Sequence, residues 1–233
     1  MSTIDTRARS GGMVDVNADG TRDPMTPERT RVDNVGTAVI DLVRRQDIDA
    51  VLFDCDGTLV DSEPIGHRIW GALADDLGVV AAPGADAEGL SFEQRLETLR
   101  TTNPALPPTE VVYAEYWRRL RAAFDESLRP IEPTYHLALE LVRADVPIAI
   151  VSNSAQERLQ YTVSCALPLL TDVPLVGWTP RDRPKPHPDL YRRAASLLAT
   201  RADRCLAIED SAVGALAASR AGMRTLILDA PAH

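Results

Sequence analysis

One stretch constrains the fold of this chain more than any other: an apolar run at residues 50–53, followed at once by Asp54 and Asp56. Short apolar runs that end in polar turn residues are typical of buried parallel strands. Because side chains alternate along a strand, we expect both aspartates on the same side, and Gly57 allows the chain to turn sharply behind them. The stretch therefore predicts a strand that delivers two carboxylates to the carboxyl edge of a sheet, where α/β proteins bind ligands.

The carboxylates of Asp54 and Asp56 repel one another unless a cation lies between them or one of them keeps a proton. A hard divalent cation such as Mg²⁺, which prefers carboxylate and carbonyl oxygens, would relieve this repulsion. Aspartate and glycine are also common in ordinary turns. The stretch by itself therefore leaves a metal site and a plain turn both open.

The composition of the chain limits which kinds of partner it can bind. It has 233 residues and 45% hydrophobic content, which suits a globular protein with an adequate core. A formal charge of −9 argues against nucleic acid as the main partner, since phosphate backbones attract basic surfaces. No apolar run approaches the ~20 residues of a membrane span, and the N-terminal residues lack the apolar centre of a signal peptide. We therefore expect a cytoplasmic protein that binds neither nucleic acid nor membranes. A monomer or a homodimer is expected, but the sequence does not decide between them.

The N-terminal part of the chain differs in character from the rest. Residues 1–34 carry no sustained apolar periodicity, and we expect them to form a disordered or loosely attached tail. Within this tail, residues 15–20 match the first half of a calcium-binding loop. The last position of such a loop needs a glutamate, and here it is Thr26, so we do not expect calcium to bind.

The remaining residues divide into an α/β part and a helical part. Residues 63–132 show three helical patterns and no convincing strand, which indicates a helical insertion. From residue 133 onward, helical patterns alternate with apolar runs at 146–151, 175–178, 204–208 and 225–228. Such alternation with short links predicts a parallel sheet wrapped by helices, the doubly wound α/β architecture. We therefore expect a core at residues 35–62 and 133–233, interrupted by the insertion.

Polar residues stand at the expected carboxyl ends of the later strands. Ser152 follows one strand, Glu209 and Asp210 follow another, and Lys185 lies in a loop between them. Because parallel strands end at one edge of a sheet, we expect these groups beside the two aspartates of the first strand. Acids that hold Mg²⁺, together with a hydroxyl and an ammonium that take phosphoryl oxygens, indicate a phosphate site. Each residue alone could instead cap a helix or face solvent.

Four stretches occur in order along the chain. They are Asp54-Cys-Asp56-Gly-Thr-Leu-Val-Asp61-Ser-Glu-Pro, Val-Ser152-Asn-Ser, Lys185-Pro-His-Pro-Asp-Leu-Tyr and Ile-Glu209-Asp210-Ser-x-x-Gly214. Together they resemble the four ordered motifs of the haloacid dehalogenase superfamily, over roughly residues 49–230. The resemblance implies a Rossmann-like core, with residues 63–132 as a helical cap domain. It also implies a phosphatase that works through an aspartyl-phosphate intermediate.

The same resemblance implies a role for each matching residue. Asp54 would be the nucleophile that attacks phosphorus, and Asp56 would protonate the leaving alcohol and then deprotonate the attacking water. Ser152, Asn153 and Lys185 would bind the phosphorylated substrate, and Ser152 and Lys185 would also stabilise the transferring group. The implied Mg²⁺ ligands are Asp54, the backbone carbonyl of Asp56, Asp210, and Glu209 as a ligand or as a partner of the ligands.

Three functions remain open. The favoured one is a Mg²⁺-dependent phosphatase that hydrolyses a small phosphorylated metabolite, such as a sugar phosphate or phosphoglycolate. A sugar-phosphate mutase of the β-phosphoglucomutase kind is less favoured, because Gly66 and Phe92 stand where we place the phosphate-handling His and Arg of such mutases. His67 and Arg95 lie close by and keep this alternative open. A non-catalytic phosphate-binding or receiver-like regulatory protein is the third.

A helical lid over the site would exclude water and favour small substrates over proteins. Candidate lid contacts are Trp70, Arg95, Tyr113, Trp117 and Arg118, although for each of them a place in the core or on the solvated surface is the favoured interpretation. One departure from the family pattern is Pro184, which replaces the usual glycine and stiffens the loop before the motif lysine.

Overall fold

The computed structural model describes residues 27–45, 47–79 and 92–229. Within these ranges the chain forms six strands and eight α-helices. The strands are β1 (Glu28–Arg31), β2 (Ala50–Asp54), β3 (Ile148–Ala155), β4 (Leu175–Trp178), β5 (Cys205–Glu209) and β6 (Arg224–Asp229). The helices are α1 (Val35–Arg44), α2 (Glu63–Asp76), α3 (Phe92–Thr102), α4 (Thr109–Ser127), α5 (Glu132–Arg143), α6 (Gln156–Ala166), α7 (Asp189–Leu197) and α8 (Ala212–Ala221). None of these helices is both long and apolar enough to cross a bilayer.

The six strands run parallel in one sheet, in the order β1-β6-β5-β2-β3-β4. Strand β2 lies between β3 and β5, with Asp54 paired to Val151 and Phe53 paired to Ile208. The carboxyl ends of these three strands therefore meet at one edge of the sheet, and the polar residues that follow them are brought together. The predicted doubly wound α/β fold is confirmed.

Strand β2 is buried on both faces, which explains its unbroken apolar run. Val51 and Phe53 belong to a hydrophobic cluster on one side of the sheet, with residues of α1 and α5. Ala50 and Leu52 belong to a second cluster, with residues of α7 and α8. Complete burial of a large apolar side chain stabilises the fold by about 1.5–3 kcal/mol. The strand that carries Asp54 is therefore anchored from both sides.

Helices α2, α3 and α4, which we call the cap helices, lie between β2 and α5 in the chain. An aromatic cluster joins them: the Trp70 ring meets those of Phe92 and Tyr116 edge to face, at centroid distances of 5.5 and 5.8 Å. Such pairs contribute about 0.5–1.5 kcal/mol beyond the burial of their area. The predicted helices are present, and the division of the chain into a core and a separate cap domain stays a prediction.

The structure differs from the sequence analysis at the end of the predicted tail. Residues 28–31 form β1, which pairs in parallel with β6, and Arg29 Nη1 lies 2.6 Å from Oδ1 of Asp229. Val32, just after the strand, is buried. The strand is polar and its side chains are mostly exposed, so that backbone hydrogen bonds rather than apolar alternation hold it, and the sequence carries no pattern for it. Residues 1–26 of the predicted tail, including the partial calcium loop at residues 15–20, lie outside the described residues.

Candidate active site

The turn after β2 brings a backbone segment against an acid from another strand. Gly57 has φ +81°, and a Cβ placed on it would lie 2.0 Å from Oδ2 of Asp210. The Thr58 hydroxyl donates to Oδ1 of the same carboxylate at 3.3 Å. Glycine is therefore required at this position for two reasons: the left-handed backbone and the close approach of Asp210.

We expect Gly57→Ala to displace Asp210 and to weaken divalent-metal binding by about tenfold or more, because a fixed carboxylate must move away from the added methyl group. Metal affinity is measured by titration calorimetry. The matched control is Gly78→Ala: Gly78 also has a positive φ of 64°, but nothing lies within 4 Å of its added Cβ. The control therefore carries the backbone strain without the collision, and equal metal affinities in the two variants would contradict this account.

Lys185 is the centre of a buried ionic cluster. Its Nζ lies 2.5 Å from Oδ1 of Asp54, 2.6 Å from Oε1 of Glu209 and 3.1 Å from the carbonyl oxygen of Val151. Only 4% of the side chain is exposed. Burial alone would lower the pKa of Lys185, but the two carboxylates raise it above its ordinary value, so the ammonium stays charged. Lys185 is also the only lysine in the sequence.

The loop that carries Lys185 is tied to the end of β3. The backbone N–H of Lys185 donates to Oδ1 of Asn153 at 2.7 Å, and Nδ2 of Asn153 donates to the Lys185 carbonyl at 3.3 Å. Pro184 therefore does not prevent the lysine from reaching Asp54. In this structure Asn153 holds the lysine loop and also lines the cavity described below.

Glu209 is buried at the end of β5, and both of its oxygens are engaged. Oε1 accepts from Lys185 and from the hydroxyl of Tyr191 at 2.5 Å, and Oε2 accepts from the hydroxyl of Ser211 at 3.2 Å. A Cβ on Gly214, in the first turn of α8, would lie 2.0 Å from Oε2. Sequence reasoning gave Tyr191 no role. Its place in the first turn of α7, shortly after the motif lysine, was the available signal.

Asp56 is held by four donors. The hydroxyls of Ser62, Ser152 and Ser154 lie 2.5, 3.1 and 3.0 Å from its carboxylate oxygens. Nη2 of Arg158 lies 3.4 Å from Oδ1. Burial alone would raise the pKa of Asp56, but Arg158 and the three hydroxyls hold it below its ordinary value. The Ser62, Ser154 and Arg158 contacts were missed, because only the tertiary fold brings these side chains to one carboxylate.

Three acids converge where a cation could bind. One oxygen each from Asp54, Glu209 and Asp210 lies within 4.8 Å of the others. Burial, together with the charges of Glu209 and Glu63, raises the pKa of Asp210 to about 7. A carboxyl group with so high a pKa takes up either a proton or a metal ion near neutral pH. Because both Glu209 oxygens already have donors, Asp54 and Asp210 fit a hard divalent cation better than Glu209 does.

A cavity joins these strand-edge residues to the cap helices. Its core side includes Asp54, Asp56, Ser152, Asn153, Ser154, Arg158, Lys185 and Asp210, and its cap side includes Gly66, His67, Trp70, Phe92, Arg95, Tyr113 and Tyr116. Of the candidate lid contacts, Trp70, Arg95 and Tyr113 line the cavity. Trp117 instead packs against Tyr161 at 5.4 Å between ring centroids, and Arg118 is an exposed partner of Glu115.

Comparison with known proteins agrees with this arrangement. A sequence model of the haloacid dehalogenase-like hydrolases matches residues 48–222. The chain belongs to this family. It is 29% identical over 192 residues to 6-phosphogluconate phosphatase of Escherichia coli K12, covering 80% of this chain and 85% of that protein. It is 31% identical over 190 residues to hexitol phosphatase A of the same organism, covering 78% and 83%.

Solved structures of the haloacid dehalogenase (HAD) family share the fold. CbbY from Rhodobacter sphaeroides superposes with a TM-score of 0.69 at 24% identity, over 77% of this chain and 85% of that chain. A HAD family hydrolase from Deinococcus radiodurans, solved with bound phosphate and sodium, has a TM-score of 0.57 at 33% identity, over 77% and 80%. The predicted family is confirmed, and the relatives support the predicted enzyme class, a phosphoric monoester hydrolase.

Proposed function

We propose that this HAD hydrolase is a Mg²⁺-dependent phosphatase that acts on a small phosphorylated metabolite through an aspartyl-phosphate intermediate. The observation that carries the proposal is the Lys185 ammonium, 2.5 Å from one oxygen of Asp54, in a cavity that Asp56 also lines. A carboxylate nucleophile, a charged partner and a second carboxylate for proton transfer are the groups that this chemistry needs.

In the two proposed steps, Asp54 forms and then loses the bond to phosphorus, and Asp56 transfers the protons. Asp54 attacks phosphorus, the bond from phosphorus to the leaving oxygen breaks, and Asp56 in its protonated form gives its proton to the leaving alcohol. Because the pKa of Asp56 lies below its ordinary value, this protonated form is the minor one in the free enzyme. A water molecule then attacks the aspartyl phosphate, Asp56 takes back a proton from it, and release of inorganic phosphate restores Asp54. Throughout, the ammonium of Lys185 and the hydroxyl of Ser152 offset the negative charge of the phosphoryl oxygens.

Asp54, Asp210 and the backbone carbonyl of Asp56 would hold the metal. When bound, Mg²⁺ supplies the positive charge that lets an anionic carboxylate approach an anionic phosphate. Glu209 then serves chiefly to hold Lys185, because its oxygens already accept hydrogen bonds from Lys185, Tyr191 and Ser211.

The substrate we propose is a phosphorylated sugar, sugar acid or sugar alcohol. The relatives that act on 6-phosphogluconate and on hexitol phosphates support this class. The cavity supports a small substrate, because α2, α3 and α4 all contribute side chains to its wall opposite the sheet edge. We further propose that the enzyme acts in the cytoplasm.

A mutase of the β-phosphoglucomutase kind is the second candidate. His67 of α2 and Arg95 of α3 both line the cavity, so a histidine and an arginine are present on its cap side. Among the described residues, Nε of Arg95 is buried without a hydrogen-bond partner. A cation that faces the cavity in this way could hold a second phosphate, as a mutase requires.

The test is phosphate release from a panel of small phosphorylated metabolites, with Mg²⁺ and with the metal removed by EDTA. The panel includes 6-phosphogluconate, glucitol 6-phosphate, phosphoglycolate and β-glucose 1-phosphate, the last also scored for isomerisation. We expect release from one or a few members, lost with EDTA and restored by Mg²⁺. Isomerisation of β-glucose 1-phosphate without release would favour the mutase, and no turnover of any member would overturn both enzymatic proposals.

A further inference from the structure

Arg158 of α6 lines the active-site cavity, and most of its hydrogen-bond donors have no acceptor among the described residues. Its side chain is 18% exposed, and its Nε is buried without a hydrogen-bond partner in the described part of the chain. A guanidinium carries five N–H donors. Within the described residues, Asp56 is the one group that accepts from Arg158, at 3.4 Å, whereas charge-assisted N–H to carboxylate bonds are usually about 2.7–2.9 Å.

The contact with Asp56 uses only one of the donors of Arg158. The Asp56 carboxylate also accepts from three serine hydroxyls, at 2.5, 3.1 and 3.0 Å. The Arg158 guanidinium also lies over the Phe124 ring of α4, 6.0 Å from its centroid, so its position is set by packing as well as by charge. An arginine held beside a cavity, with donors to spare, suits a ligand that offers several acceptor oxygens.

Acidic and basic side chains both line the cavity. The acids Asp54, Glu209 and Asp210 converge at the metal and phosphate end. Arg158, which contacts Asp56, and Arg95 of α3 add positive charge to the wall. Planar, bidentate recognition of carboxylates and phosphates is the particular strength of arginine.

We propose that Arg158 is a specificity-determining residue that binds a second anionic group of the substrate, a carboxylate or a second phosphate, in addition to the phosphoryl group that is removed. This inference deepens the proposed phosphatase function and rests on it. The enzyme should then prefer a phosphorylated acid to the neutral alcohol of the same carbon skeleton.

Two matched pairs of compounds test the preference. 6-Phosphogluconate differs from glucitol 6-phosphate, and phosphoglycolate from 2-hydroxyethyl phosphate, by a carboxylate in place of a CH₂OH group. The readout is the ratio of kcat/KM for the acid to kcat/KM for the alcohol. We expect Arg158→Gln to lower this ratio by about 10- to 100-fold in at least one pair, the range of a hydrogen bond to a charged group.

A ratio separates specificity from a general effect on catalysis. If Arg158 only positions Asp56, its replacement lowers turnover of acid and alcohol alike, and the ratio stays within about twofold of the wild-type value. Arg118→Gln is the control, since it removes one arginine from the exposed surface of α4, outside the cavity. Arg158→Lys keeps the charge without the planar fork, and serves if Arg158→Gln does not fold.

The outcomes for this inference and for the phosphatase proposal are distinct. An unchanged ratio with both members hydrolysed overturns the role of Arg158 and leaves the phosphatase standing. If no member is hydrolysed, the phosphatase proposal fails, and the ratio of dissociation constants, measured by titration calorimetry on the wild type and Arg158→Gln, decides the role of Arg158 instead. A change of less than about twofold in that ratio overturns it.

Discussion

Asp54→Asn is expected to abolish turnover, lowering kcat by at least about a thousandfold on any substrate the enzyme hydrolyses. The amide keeps the size of the side chain but cannot act as the anionic nucleophile that forms an aspartyl phosphate. It also removes one acid from the cluster with Glu209 and Asp210. Phosphate release under saturating substrate and Mg²⁺ measures the effect.

The matched control for this prediction is Asp49→Asn, just before the same strand. The carboxylate of Asp49 is exposed and paired with Arg204 at 2.7 Å, far from the strand edge that carries the catalytic residues. We expect this variant to keep wild-type kcat. An Asp54→Asn enzyme that retains activity, with its identity verified by mass spectrometry to exclude deamidation, would remove Asp54 from the nucleophile role.

Lys185→Met is expected to reduce kcat by about 10²–10³-fold and also to destabilise the metal-free protein by about 3–5 kcal/mol. The methionine fills the space of the lysine chain but leaves the buried carboxylates of Asp54 and Glu209 without their shared cation. Two buried carboxylates without a compensating cation oppose folding and repel the phosphoryl group. Urea unfolding in EDTA and phosphate release in Mg²⁺ measure the two effects.

A second substitution separates the two roles of the lysine. In Lys185→Met/Glu209→Gln, one of the two unpaired carboxylates becomes neutral, so we expect much of the stability to return. Activity should not return, because the ammonium that stabilises the transferring group is still missing. If stability and activity recover together, the effect of Lys185 on catalysis acts through folding alone.

The sequence predicted the core of this protein because its signals are local. The apolar run of β2, the two aspartates after it and the alternation of helix and strand from residue 133 each depend on neighbours in the chain. Parallel pairing then places Ser152 and Glu209 near Asp54, since strands of one sheet end at one edge. The predicted strands differ from the observed ones by at most four residues at either end, the largest difference being the extension of β3 to Ala155.

The contacts that sequence reasoning missed depend on tertiary packing. Tyr191 lies in α7 and Arg158 in α6. The rotation of each helix about its axis against the sheet decides which of its residues face the site, and the sequence does not give this rotation. Strand β1 was missed because backbone hydrogen bonds and charge pairs leave no apolar period in the sequence. Only some of the candidate lid contacts line the cavity: Trp70 does and Trp117 does not. Helical spacing alone does not fix how α2 and α4 face the core.

The single lysine of this protein has a chemical consequence. A reagent that acylates side-chain amines has one target, Lys185, and that amine is buried, protonated and shared between two carboxylates. An amine must lose its proton before it reacts, so the ion pairs of Lys185 with Asp54 and Glu209 must break before it is acylated. The rate at which this residue is labelled, measured by mass spectrometry, therefore reports how often its buried ion pairs break. No other lysine in the sequence contributes to the signal.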